Sequence, residues 1–145
     1  MCSSVIIEDI KRRRDPETEG LAYLYCVFNE SHQSVENLLG SLVQQLARQA
    51  PELLDEVKTL YGSRQINHQE RPSLQELETL LEIYVASFDR PYLVVDALDE
   101  LPQQDGTRER FLNRLLASCS NARILITSRH IAISQVLKPD RILEI

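Results

Sequence analysis

Glycine and proline are scarce in this chain, at four and six of 145 residues. Disordered linkers and fibrous repeats need far more of both, so those classes are excluded. Cys2, Cys26 and Cys119 are odd in number, widely spaced and form no Cys-x-x-Cys pair. That pattern argues against a disulfide framework and against a zinc site. Cys26 sits inside an apolar run and reads as simply buried. No apolar stretch approaches the roughly 20 residues of a membrane span. No signal peptide opens the chain, because charges arrive at Glu8 and Asp9. No internal repeat or low-complexity segment is present. His32, His68 and His130 are scattered, and no Ser–His–Asp arrangement follows from their spacing. His130 follows Arg129 and reads as part of a surface loop. The expected setting is a reducing, cytoplasmic one.

Positive charge is also in deficit, with a net charge of −6. An acidic surface repels phosphate backbones, so nucleic acid is not an expected partner; without an apolar span, neither is a membrane. The one basic run, Lys11 to Arg14, reads as the solvated last turn of a helix, where cations suit the dipole. The other reading is a short nuclear or nucleic-acid signal.

Apolar residues make up 43% of the chain, enough for one soluble domain with a real core. Ser3 to Arg14 reads as the end of an amphipathic helix with Val5, Ile6 and Ile10 on its apolar side, stopped at Asp15-Pro16. Leu21–Phe28 is a nearly continuous apolar run, as expected of a strand covered on both faces. Ser34 caps a helix carrying Val35, Leu38, Leu39, Leu42, Val43 and Leu46. Pro51 breaks it and starts a shorter helix to about Tyr61, and Gly62 to Pro72 reads as loop. Ser73 and Glu76 form a capping box before a helix with Leu74, Leu77, Leu80, Leu81, Tyr84 and Phe88. Pro91–Asp96 is a second buried strand. A loop with Pro102 and Gly106 leads to a helix carrying Phe111, Leu112, Leu115 and Leu116. Arg123–Thr127 is a third strand, Ile131 to Leu137 a short helix, and Arg141–Ile145 a fourth strand. Short apolar strands alternating with helices predict an α/β fold with a parallel sheet.

Two strand ends carry chemistry. Tyr92-Leu-Val-Val-Asp96-Ala-Leu-Asp99-Glu100 runs from buried strand into an acidic cluster. In parallel α/β sheets ligands bind beyond the carboxyl ends of the strands. Carboxylates there can hold a hydrated magnesium ion or orient a water. They can also simply cap the next helix or face solvent. Ile124-Leu-Ile-Thr127-Ser128-Arg129 is the second such end. Its guanidinium can meet a phosphate in bidentate fashion, or pair with Asp96 or Asp99 for structure. About 30 residues and one helix separate the two, which is one crossover unit.

Together these motifs resemble the Walker B and sensor strands of the NACHT/STAND P-loop NTPases. The likeness is greatest to the nephrocystin-3-like N-terminal domain, found in many fungal NLR-like proteins ahead of ankyrin or other repeats. It rests on Ile6-Ile-Glu-Asp-Ile-Lys-Arg-Arg13, Ala22-Tyr-Leu-Tyr25 with Phe28, Asp96-Ala-Leu-Asp-Glu100, and Leu125-Ile-Thr-Ser-Arg129. The resemblance implies a three-layer P-loop NTPase fold with strand order 5-1-4-3-2. It implies that Asp96 holds magnesium, that Asp99 or Glu100 polarises the hydrolytic water, and that Ser128 and Arg129 contact the nucleotide, ATP or GTP. Val27 and Leu101 stand where the family often has Asp and Cys.

The family's Gly-Lys-Ser/Thr loop and the strand feeding it belong immediately before Cys2. They are not among these 145 residues. Residues 1–145 are therefore expected to be the Walker B and sensor part of a NACHT-type switch domain. That part should hold no nucleotide tightly, and without the neighbouring strand 1 it should self-associate or bind protein partners. The alternatives are an interaction module built on a degenerate NTPase fold and a metal-dependent phosphohydrolase.

Overall fold

A computed structural model of the chain describes residues 2–28, 33–61 and 71–129. The elements run α1 (Cys2–Arg13), β1 (Leu21–Tyr25), α2 (Val35–Ala47), α3 (Leu53–Tyr61), α4 (Leu74–Ala86), β2 (Tyr92–Asp96), α5 (Thr107–Ser118) and β3 (Arg123–Ile126). A 3-10 turn, Leu98–Glu100, follows β2. The expected short helix at 131–137, the strand Arg141–Ile145, most of the loop after Tyr61, and His32, His68 and His130 lie outside the described residues.

The three strands form one parallel sheet in the order β1-β2-β3, with Leu21 opposite Tyr92 and Tyr92 opposite Arg123. The fold class is therefore mixed α/β, as expected. Successive side chains alternate between two apolar faces. Ala22, Leu24, Leu93, Val95, Ile124 and Ile126 face a core built with α2, α4 and α5. Leu21, Tyr23, Tyr92, Val94 and Leu125 face a smaller cluster under α1, centred on Ile7. Both faces are covered, so every position of β2 is apolar until Asp96. A sheet that adds strands in one direction puts its right-handed crossovers on one face, which is where α2, α4 and α5 lie.

Local signals set the helix starts. Ser34 Oγ accepts from the Asn37 N–H, and Ser73 with Glu76 forms the predicted capping box. Gly20 is required by contact: a Cβ there would stand 2.6 Å from the Phe88 ring.

Two expectations need correction. Val5 is 70% exposed, and α1 instead buries Ser3 and Ile7, with Ile10 half-buried on the same face. The spacing of three and four residues selects that stripe. The first strand also stops at Tyr25 rather than Phe28. Its partner β2 ends at Asp96, whose carbonyl takes the Cys26 N–H at 2.9 Å. Beyond that point the strand has no ladder to join, and Phe28 is 75% exposed.

Candidate functional site

The parallel register brings the carboxyl ends of β2 and β3 to one edge of the sheet. There the chain turns sharply at Ala97, which adopts a left-handed conformation (φ 55°). That conformation costs an L-residue about 1–2 kcal/mol and persists only where surrounding contacts fix it. Thr127 supplies those contacts. Its Oγ1 accepts the Ala97 N–H at 3.0 Å, its carbonyl accepts the Leu98 N–H at 2.9 Å, and its hydroxyl donates to Asp96 Oδ1. The turn swings Asp99 and Glu100 back towards β3.

Arg129 meets both. Its Nε lies 2.5 Å from Asp99 Oδ2, its Nη2 lies 2.5 Å from Glu100 Oε1, and its own N–H donates to Asp99 Oδ1 at 3.1 Å. Ser128 Oγ stands 3.4 Å from Asp99 Oδ1 and donates to the Arg129 carbonyl at 2.8 Å. The Asp99 side chain is 8% exposed and the Arg129 side chain 78% exposed. Burial pushes the Asp99 carboxyl up, but the Arg129 side-chain and backbone hydrogen bonds outweigh it and hold the group below its ordinary range. The same side-chain hydrogen bond to Asp99, with the charges of Asp99 and Glu100, raises Arg129. All five residues singled out in the sequence thus gather at two adjacent strand ends. In this structure the Arg129 guanidinium is occupied by Asp99 and Glu100, not by Asp96.

The profile of the family described as nephrocystin 3, N-terminal, matches residues 1–129. The chain belongs to the nephrocystin 3 N-terminal family. The match covers the acidic turn after β2 and ends on Arg129. No curated protein and no solved structure matches the chain.

Among the described residues no three His, Cys, Asp or Glu side chains converge as a cage. Magnesium takes one or two carboxylates and completes its octahedron with water and phosphate oxygens. Asp96 could take such a role; its Oδ1 accepts the Thr127 hydroxyl.

Sequence reasoning missed two residues of this edge. Thr127 closes an apolar run in the sequence, yet it fixes both Ala97 and Asp96. Arg108, from the first turn of α5, donates through Nη2 to the Asp99 and Leu101 carbonyls, both at 2.7 Å. It braces the acidic turn from behind. No spacing rule marks an arginine that binds carbonyls seven and nine residues upstream. Cys26 also adjoins the site, and burial, reinforced by the charges of Asp96 and Asp99, pushes its thiol up to about 12. It is an inert packing group there. Cys119 is free and buried as well. The basic run behaves as expected for Lys11, Arg12 and Arg13, which pair with Glu8 and Asp9 in the last turn of α1. Arg14 departs from it, turning inward to the Glu19 carbonyl and Gln49. Among the described residues no helix is long and apolar enough to cross a membrane.

Proposed function

We propose that the chain is the Walker B and sensor part of a NACHT/STAND-type nucleotide switch domain. One observation carries the reading. Two neighbouring parallel strands end in Asp96-Ala-Leu-Asp99-Glu100 and Thr127-Ser128-Arg129, and these six polar side chains meet at one edge of the sheet. That edge is where α/β folds bind nucleotides.

In this reading Asp96 holds magnesium bound to the phosphates of ATP or GTP. Asp99 or Glu100 orients the attacking water, and Ser128 and Arg129 contact the terminal phosphate. Arg129 then has two mutually exclusive partners, the acids and the phosphate, which is the kind of two-state element that a switch needs. No Gly-Lys-Ser/Thr loop occurs within the 145 residues, so in this reading these residues alone bind nucleotide only weakly.

Calorimetry with magnesium ATP and GTP tests both halves. The 145-residue chain should show no micromolar binding. The same chain with a strand and Gly-x-x-x-x-Gly-Lys-Ser loop placed ahead of α1 should bind in a magnesium-dependent manner. Asp96→Asn and Arg129→Ala should each weaken that binding at least tenfold, a loss of about 1.4 kcal/mol. Binding indifferent to both substitutions would overturn the assignment.

A further inference from the structure

Side chains close most of the outer edge of β1. Along a strand, alternate residues direct both backbone groups to the same side. The Tyr92 N–H bonds the Gly20 carbonyl and the Cys26 N–H bonds the Asp96 carbonyl, so Leu21, Tyr23, Tyr25 and Val27 face away from β2. Gln49 Oε1 accepts the Leu21 N–H at 3.0 Å while its Nε2 donates to the Leu21 carbonyl at 2.7 Å. Gln45 does the same for Tyr23, at 3.0 and 2.8 Å. Gln33 accepts the Val27 N–H at 3.0 Å and donates to the Tyr25 carbonyl at 3.2 Å.

Each primary amide reproduces the paired donor and acceptor that a residue of a neighbouring strand would present. The spacing makes this possible. Gln45 lies in the last turn of α2 and Gln49 in the turn that follows it; four residues of near-helical chain advance about 6.0 Å and two residues of strand about 6.6 Å, so the two amides step along β1 in register with Tyr23 and Leu21. The amides are themselves held. Arg14 Nη1 donates to Gln49 Oε1 at 2.7 Å, and Gln49 Nε2 donates to the Gln45 carbonyl at 2.8 Å.

We propose that Gln33, Gln45 and Gln49 form an edge cap that denies β1 to strand addition by a second copy of this chain. An uncapped parallel edge with this apolar sequence is a template for such pairing. The cap confines growth of the sheet to the β3 side.

The test is hydrogen exchange with sedimentation velocity on the full 145-residue chain. The Gln45→Met/Gln49→Met variant keeps side-chain length and helix propensity but has no amides. Dilute, its Leu21 and Tyr23 N–H groups should exchange about tenfold faster than in the parent. Raising the concentration should restore protection as the variant associates through β1. Gln44→Met, an exposed site on the same helix, should do neither. Parent-like protection at Leu21 and Tyr23, or faster exchange without association, would overturn the proposal. Gln33→Ala reads the same cap without touching a helix and should expose the Val27 N–H alone. Unchanged protection of Val27 would overturn it too.

Discussion

β1 and β3 stand at opposite ends of the same three-stranded sheet. Both are short and apolar, and a reader of the sequence would treat them alike. Their surroundings differ. β1 is mostly buried, and most of its outer backbone groups are satisfied by three glutamine amides. β3 pairs with β2 alone among the described residues, and its three apolar side chains are only half-buried. One end is finished as an edge. The other carries the sequence of an interior strand. Pattern reports how apolar a strand is; it does not report which neighbours use its backbone.

The largest effects should separate the central strand from β3. Leu93 is fully buried in β2, and Leu93→Ala should lower stability by about 3 kcal/mol through lost transfer energy and a residual cavity. Ile126→Ala, on the same face of β3, should cost only about 1 kcal/mol, because its contacts are already incomplete. Urea unfolding of both variants measures the gap; equal losses would mean that β3 is as enclosed as β2. The Ile124 N–H points away from β2, so Ile124→Pro removes an outward donor and no ladder bond. If β3 is where copies of the chain meet, this substitution should raise the apparent dissociation constant by at least about tenfold, or about 1.4 kcal/mol. Sedimentation equilibrium gives the value.

Much of this architecture was legible in the sequence. The three described strands, the parallel arrangement, the Ser34 cap and the Ser73–Glu76 capping box follow from apolar runs and short-range hydrogen bonding. The gathering of Asp96, Asp99, Glu100, Ser128 and Arg129 followed from parallel strands ending on one side. What escaped was long-range backbone satisfaction. Gln33, Gln45 and Gln49 look like surface polar residues, and only the approach of α2 along β1 turns two of them into a pseudo-strand. Thr127 and Arg108 escaped for the same reason, since each bonds backbone atoms of a distant turn. In α1 the apolar Val5 and Ile6 point to the wrong stripe, because the helix faces the sheet through Ser3, Ile7 and Ile10.

At β1 the sheet is held by a helix; at β3 it is held by the turn after β2, and Thr127 is the hinge of that attachment. Thr127→Val keeps the shape and removes the hydroxyl, leaving the Ala97 N–H and the Asp96 carboxylate short of a partner. A loss of about 1–2 kcal/mol is expected in urea unfolding, with faster hydrogen exchange at Ala97 and Leu98 and none at Leu21. Uniform acceleration across the sheet would show that Thr127 does not act locally. Ala97→Gly tests the same turn with the opposite sign. Glycine accepts a positive φ without strain but gains freedom when unfolded, so a net stabilisation of about 0.5 kcal/mol is expected. A destabilised Ala97→Gly variant would show that the left-handed turn carries no strain to relieve.

The smallest effect should appear at the outermost fastening of β3, the Arg129 bridge to Asp99 and Glu100. Because Arg129 is largely exposed, water and salt screen the pairing at neutral pH. Its signature is a pH dependence. Asp99 is held below its ordinary 3.8 in the folded chain. The unfolded chain therefore takes up its proton first as pH falls. The associated stability is fully present above the unfolded value and is lost as pH drops from about 5 through the folded value. Arg129→Gln removes the charged partner and leaves burial, which pushes the carboxyl the other way. The acid-side decline of stability between pH 5 and 3 should then be shallower than in the parent, while stability at pH 7 changes little. Urea midpoints across that range, at low and high salt, give the comparison, and parallel curves for parent and variant would show that Asp99 owes its acidity to the turn rather than to Arg129. No such difference is expected for Gln49→Met at the β1 edge, where the fastening is by neutral amides.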